Sequence, residues 1–135
     1  MISVSYDKNN FYLINDKMDT EILNFGIYEK KTYKHVFNKH KYYVIKFLET
    51  YQDFDDYKKM KFFIYAFNNM KLDFGKYSGQ TFNDIYNNHI TYIIWCRHNI
   101  KITDNRIANL FHKYILLRNS DKFVLPKKNI FKGKN

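Results

Sequence analysis

Apolar and polar positions alternate at the start of the chain and then change rhythm. Ile2-Ser3-Val4-Ser5-Tyr6 repeats with a period of two, Asp7-Lys8-Asn9-Asn10 supplies turn chemistry, and Phe11-Tyr12-Leu13-Ile14 resumes the apolar run. This pattern predicts a β-hairpin closed by Asn15-Asp16-Lys17. Beyond it the period becomes helical. Tyr43, Val44, Phe47, Leu48 and Tyr51 fall on one helix face. The stretch Phe62 to Phe67 is nearly all apolar, which predicts a helix buried on most sides. Ile107, Leu110, Phe111, Tyr114 and Ile115 form another stripe. Thr103 or Asp104 is the expected N-cap of that last helix, and Asp55 is the expected cap of the helix that carries Tyr57, Met60, Phe63 and Phe67.

The pattern then repeats. Leu23-Asn24-Phe25-Gly26-Ile27-Tyr28 returns as Leu72-Asp73-Phe74-Gly75-Lys76-Tyr77, 49 positions on. In the same register Thr32 meets Thr81, Asn38 meets Asn87, His40 meets His89, Tyr43 meets Tyr92 and Phe62 meets Phe111. A constant period of this size means one supersecondary unit used twice. Each unit is expected to open with an aromatic-Gly strand in a hairpin. Gly79 supplies a positive φ in the turn Tyr77-Ser78-Gly79-Gln80, and Thr32 or Thr81 caps a short helix. Gly26 and Gly75 read as backbone requirements of the strand. The expected fold class is α+β with more helix than strand. Residues 1–20 form the N-terminal hairpin, 21–69 the first unit, 70–118 the second, and 119–135 a basic C-terminal tail. Each unit alone is close to the size at which a single core is marginal, so the two are expected to pack together.

Composition adds a partner class. The chain of 135 residues carries 23 basic and 13 acidic residues, a net charge of +10, and is 20% aromatic. Such an excess points to a polyanion, with nucleic acid ahead of an anionic membrane. Lys, Asn, Ile, Tyr and Phe are also what AT-rich codons specify, which accounts for part of the charge. Cys96 is the only cysteine, so an internal disulfide is excluded and a reducing compartment fits. The chain shows no apolar run long enough for a membrane span and no signal-peptide pattern at Met1. The expectation is an intracellular protein with no membrane association.

Leu72, Phe74-Gly75-Lys76-Tyr77, Gly79, Thr81, Ile85, Tyr92 and Trp95 form a pattern of their own. The stretch from Leu72 to about Asn99 resembles the C-terminal module of exodeoxyribonuclease X, a module also seen in bacterial and large-DNA-virus proteins. The first unit resembles it through the second, with Ile27 for Lys76, Lys30 for Gly79 and Lys46 for Trp95. The resemblance implies an accessory domain that stands beside nuclease or helicase domains and contacts nucleic acid. The AT-rich composition and short form suit a large DNA virus, with the host cytoplasm or nucleus as the place of action. The exonuclease chemistry needs carboxylates holding two metal ions. The Glu residues here are only Glu21, Glu29 and Glu49, and the Asp residues sit mostly at turns and caps.

Positions shared by both units read as fold, so Phe74 and Tyr77 are expected core residues. Positions that differ carry the functional expectation. In the second unit these are Lys76, Gln80 and Trp95, joined by Arg97 and Lys101; in the first they are Lys30, Lys31 and Lys46. The last three belong to a cluster with Lys34, Lys39 and Lys41. Lysines and arginines would contact phosphates, and Trp95 would stack on bases. His40 and His89 are expected to serve the helix start through a hydrogen bond, and Cys96 to be buried packing. Neither a paired Cys motif, a Gly-rich phosphate loop nor a nucleophile elbow is present, so the expectation includes no catalytic residue, no metal and no cofactor. The expected function is a non-enzymatic nucleic-acid-binding protein for DNA or RNA. The alternative is a protein-interaction adaptor in a viral replication, transcription or translation complex.

Overall fold

The computed structural model describes residues 15–99 and 104–126. A 3-10 helix at Asn15–Thr20 leads into α1 (Tyr33–Lys39), α2 (Lys41–Thr50) and α3 (Tyr57–Asn69). Then follow α4 (Phe82–Asn88), α5 (Ile90–Asn99) and α6 (Arg106–Arg118). The bounds of α4, α5 and α6 are those of α1, α2 and α3 moved on by 49 residues. Among the described residues no helix is long and apolar enough to cross a membrane.

The α+β expectation is overturned. Among the described residues there is no strand; only two isolated antiparallel bridges occur, Ile22 with Thr32 and Lys71 with Thr81. The predicted N-terminal hairpin at Ile2–Ile14 lies outside the described residues, as does the basic stretch from Lys127 onward. The physical reason for the missing strands is backbone curvature. Gly26 and Gly75 both sit at φ +74°, and Lys30 and Gly79 at +78° and +92°. Two left-handed residues four positions apart curl the chain before a ladder can extend. Leu23 N donates to Lys31 O at 2.8 Å and Leu23 O accepts from Lys30 N at 2.7 Å, which clips the loop shut. Leu72 makes the same pair with Gln80 and Gly79 at 3.0 and 2.8 Å. The aromatic-Gly segment shared by the two units is therefore a compact turn with a one-bridge neck.

The first and third helices of each unit start on side-chain caps. Thr32 and Thr81 each accept a hydrogen bond from the amide three residues on, His35 and Asp84, at 3.1 Å. The caps of the third helices lie one or two residues later than expected. Asp56 replaces Asp55 and accepts from Lys59 N at 3.1 Å, while Asn105 replaces Thr103 or Asp104 and accepts from Ala108 N at 3.0 Å. Local side chains compete for the same cap, and backbone direction decides among them.

Helix α3 is the centre of the core. Met60 and every residue from Phe62 to Asn68 are buried. Phe62 meets Tyr33, Phe47 and Phe25 of the first unit at ring separations of 5.0, 5.7 and 6.2 Å. Phe67 meets Tyr114 and Phe82 of the second at 5.5 and 6.2 Å. After α6 the chain returns to this helix, and Phe123 is buried against Phe63 and Phe67. Helix α6, its counterpart, buries Leu110, Phe111, Tyr114 and Ile115 as a stripe and leaves Leu116 exposed.

Polar ties reinforce the join. Arg106 donates from Nε and Nη2 to the two carboxylate oxygens of Glu49 at 2.9 and 2.6 Å. Lys113 Nζ donates to Leu48 O at 2.7 Å and Glu49 O at 3.3 Å, closing carbonyls at the end of α2 that have no helical partner. Tyr114 donates its hydroxyl to the buried Asn68 side chain.

Two outcomes follow from this shared core. Phe67→Ala should cost about 3–5 kcal/mol in urea denaturation. Trp95 fluorescence, which reports the second unit, and far-UV circular dichroism should still lose signal in one coincident transition; separate transitions would mean two independent cores. The Arg106 hydrogen bonds hold the Glu49 carboxyl below its ordinary value. That contribution is present above the unfolded pKa and fades as pH falls through the folded one. Glu49→Gln should therefore lower stability at neutral pH and lose less on acidification below about pH 4.5 than the parent, read from urea midpoints across pH.

Candidate nucleic-acid interface

A single residue separates the first two helices of each unit. His40 ends α1 and begins α2 at φ −127°, ψ 53°, and His89 does the same at −134°, 61°. At His40 the expected helix-start hydrogen bond is not made, since its side chain forms no cap bond. Its ring instead lies flat on Tyr28, centroids 3.8 Å apart, and His89 lies on Tyr77 at 4.0 Å. The same tyrosines meet Tyr43 and Tyr92 edge-on at 4.9 and 4.8 Å. Each unit thus presents a Tyr-His-Tyr frame at the corner between its turn and its second helix. The edge-to-face geometry of the two tyrosine pairs is a favoured ring arrangement and helps to hold the corner.

The frame explains one glycine. A Cβ built on Gly26 would stand 2.6 Å from the Tyr43 hydroxyl, and one on Gly75 would stand 3.6 Å from that of Tyr92. The turn therefore passes directly over the second tyrosine, most tightly in the first unit. Tyr43 and Tyr92 are both partly buried, and burial pushes the Tyr92 hydroxyl up to about 12. Phe74 and Tyr77, expected as core, are half-buried and pack on the core from its edge.

On the second unit the frame carries Lys76 and Trp95. Lys76 Nζ stands 5.3 Å from the centre of the Tyr77 ring. Trp95 is 54% exposed and nearly parallel to Tyr92, at 6.1 Å and 17°. Lysine, tyrosine, tyrosine and tryptophan so form a continuous row. Ile90 and Ile94 on the same helix are also exposed, one turn apart. Gln80 is half-exposed, and its backbone is spent on the turn. Arg97 is exposed but follows Trp95 by two residues, about 200° around the helix, so it does not join the row. Lys101 lies outside the described residues.

On the first unit the frame borders a hollow of about 470 Å³. Its aromatic side is Tyr28, His40 and Tyr43; Lys39, Lys41 and Lys46 supply the cations, and Ile27 and Tyr42 complete it. Lys46 was expected here. Lys30 and Lys31 are exposed in the turn but do not line the hollow. Tyr42, 72% exposed with the Arg106 guanidinium 4.9 Å from its ring centre, was not anticipated. The repeat register held the missing signal, because Ile27, Lys41 and Lys46 are the positions matching Lys76, Ile90 and Trp95.

Cys96 is buried on the core side of α5, and burial pushes its thiol up, which keeps it protonated near neutral pH. Among the described residues no group of three His, Cys, Asp or Glu side chains comes together.

Fold and surface together define a small helical module with cationic, aromatic faces. Residues 72–101, covering the second turn, α4 and α5, match the family model described as Exodeoxyribonuclease X-like C-terminal. No curated protein and no solved structure matches the chain.

Lys30 occupies the left-handed position that Gly79 takes in the second unit. That conformation costs an L-residue about 1–2 kcal/mol, partly offset by the entropy glycine loses on folding. Lys30→Gly should raise stability by about 0.5–1 kcal/mol in urea denaturation, whereas Gly79→Lys should lower it.

Proposed function

We propose that the protein is a non-enzymatic nucleic-acid-binding module built from two copies of the exodeoxyribonuclease X-like C-terminal unit, the first of them diverged. The observation that carries this reading is Trp95: a large aromatic ring left half in solvent, parallel to Tyr92 and in line with Tyr77 and Lys76. It lies within the segment that matches the family, where an accessory role in contacting nucleic acid is the expected one. A ring so placed offers a stacking surface to an unpaired base, and Lys76 offers its charge to the adjoining phosphate. Single-stranded DNA or RNA suits such a row better than duplex, whose bases are already stacked. The single buried cysteine and the basic, AT-biased composition fit an intracellular, viral setting.

A second reading has its own observation. Ile90 and Ile94 are exposed one turn apart on α5, the helix that carries Trp95, and such an apolar pair would equally suit a protein partner in a replication, transcription or translation assembly.

Anisotropy of a labelled oligothymidylate separates the two. At low salt the protein should bind it, with affinity falling linearly in log–log salt. Trp95→Ala should weaken binding about 5- to 150-fold, the worth of one stacked base, with an unchanged circular dichroism spectrum. No binding to single-stranded DNA or RNA at low salt would leave the adaptor reading.

A further inference from the structure

We infer that the hollow on the first unit is a phosphate site, through which that unit grips the backbone of the same single strand whose bases stack at Trp95. The inference rests on the nucleic-acid reading above and assigns a ligand class to a surface outside the family-matched segment.

The two units carry the same frame with inverted chemistry. Tyr28, His40 and Tyr43 repeat as Tyr77, His89 and Tyr92, with ring separations that agree to within 0.2 Å (3.8 and 4.0 Å; 4.9 and 4.8 Å). Around this constant shape every decorated position is exchanged. Lys46 stands where the second unit has Trp95, Lys41 where it has Ile90, and Ile27 where it has Lys76. The cations of the first unit thus occupy the helix side of the frame, the side that offers an aromatic stacking face in the second. A surface that meets bases on one unit meets phosphates on the other.

The hollow suits that ligand. Three of its lining residues are lysines and none is a carboxylate. Glu49, whose charge Lys46 also feels, is held by two hydrogen bonds from Arg106. A volume of about 470 Å³ lies within the range of small-ligand sites and has room for a nucleotide unit. The Lys41 ammonium stands 4.1 Å from the Phe37 ring centre. Partial desolvation there, with repulsion from Lys71, lowers its pKa. Lys71 does not line the hollow, so the attraction for an anion comes from Lys39, Lys41 and Lys46 themselves.

Each phosphate neutralised on a single strand contributes about 0.7 to the slope of log affinity against log salt. Lys39→Gln/Lys41→Gln/Lys46→Gln should flatten that slope by about 2, measured by anisotropy with labelled oligothymidylate. Lys58→Gln/Lys122→Gln, two exposed lysines elsewhere, should change it little. Circular dichroism checks folding; if the hollow triple is unfolded, Lys39→Gln/Lys46→Gln is read instead, with a flattening of about 1.4. An unchanged slope in the folded hollow variant, or equal flattening in the control, overturns the site while leaving binding at Trp95 intact. Failure of the parent protein to bind overturns both. Thymidine monophosphate at matched phosphate concentration should displace the strand only weakly. Full displacement would assign the hollow to a free nucleotide and overturn the strand-gripping role.

Discussion

Everything else in this protein depends on helix α3 being buried from both sides. A run of seven residues from Phe62 to Asn68 with almost no exposure needs partners all round, and neither unit can supply them alone. Phe62 looks to one unit and Phe67 to the other. Aromatic rings supply the area that a chain this short requires, and their edge-to-face contacts add a further increment each. The helix is thus the join as well as the core. The ion pair of Arg106 with Glu49 and the Lys113 contacts to the end of α2 sit at its margin, where partly exposed charges add little to the strength of the join. The positions matching Arg106 and Lys113 are Tyr57 and Ile64, neither of them a cation.

With the core fixed in this way, the two Tyr-His-Tyr corners are left on the outside as rigid supports. Their rings are held by a turn that crosses at van der Waals distance and by a helix junction one residue long. Such a support separates shape from chemistry. Substitutions around it alter charge and stacking without disturbing the frame, and the exchanges of Ile27 for Lys76 and Lys46 for Trp95 are of that kind. The two corners can therefore carry different side chains on one shape.

Much of the helical architecture was legible. The apolar stripes placed α2, α3 and α6, the threonine caps placed α1 and α4, and the unbroken apolar run in α3 marked the central helix. The strands were misread because aromatic residues beside glycine carry high β-propensity, while the left-handed φ of Gly26, Lys30, Gly75 and Gly79 turns the chain back after a single bridge. The caps at Asp56 and Asn105 were missed because neighbouring side chains of equal capping ability surround them. Of the site, Trp95, Lys76 and Lys46 fell on the two corners, but Arg97, Lys30 and Lys31 did not join them.

The 49-residue recurrence of the helix pattern and the positions of the helices are properties of local order along the chain, so the sequence by itself determined them. Periodicity and capping act over a few residues, and a constant shift preserves both. Which residues share a corner depends on the single-residue junctions at His40 and His89 and on the turn folded over them. The stacking of each histidine on a tyrosine 12 residues earlier, and the hollow that lysines 39, 41 and 46 come to share, arise only when helix and turn pack. Tertiary structure alone decided them, because ring contacts and charge proximity are set by distance in space and leave no period in the chain.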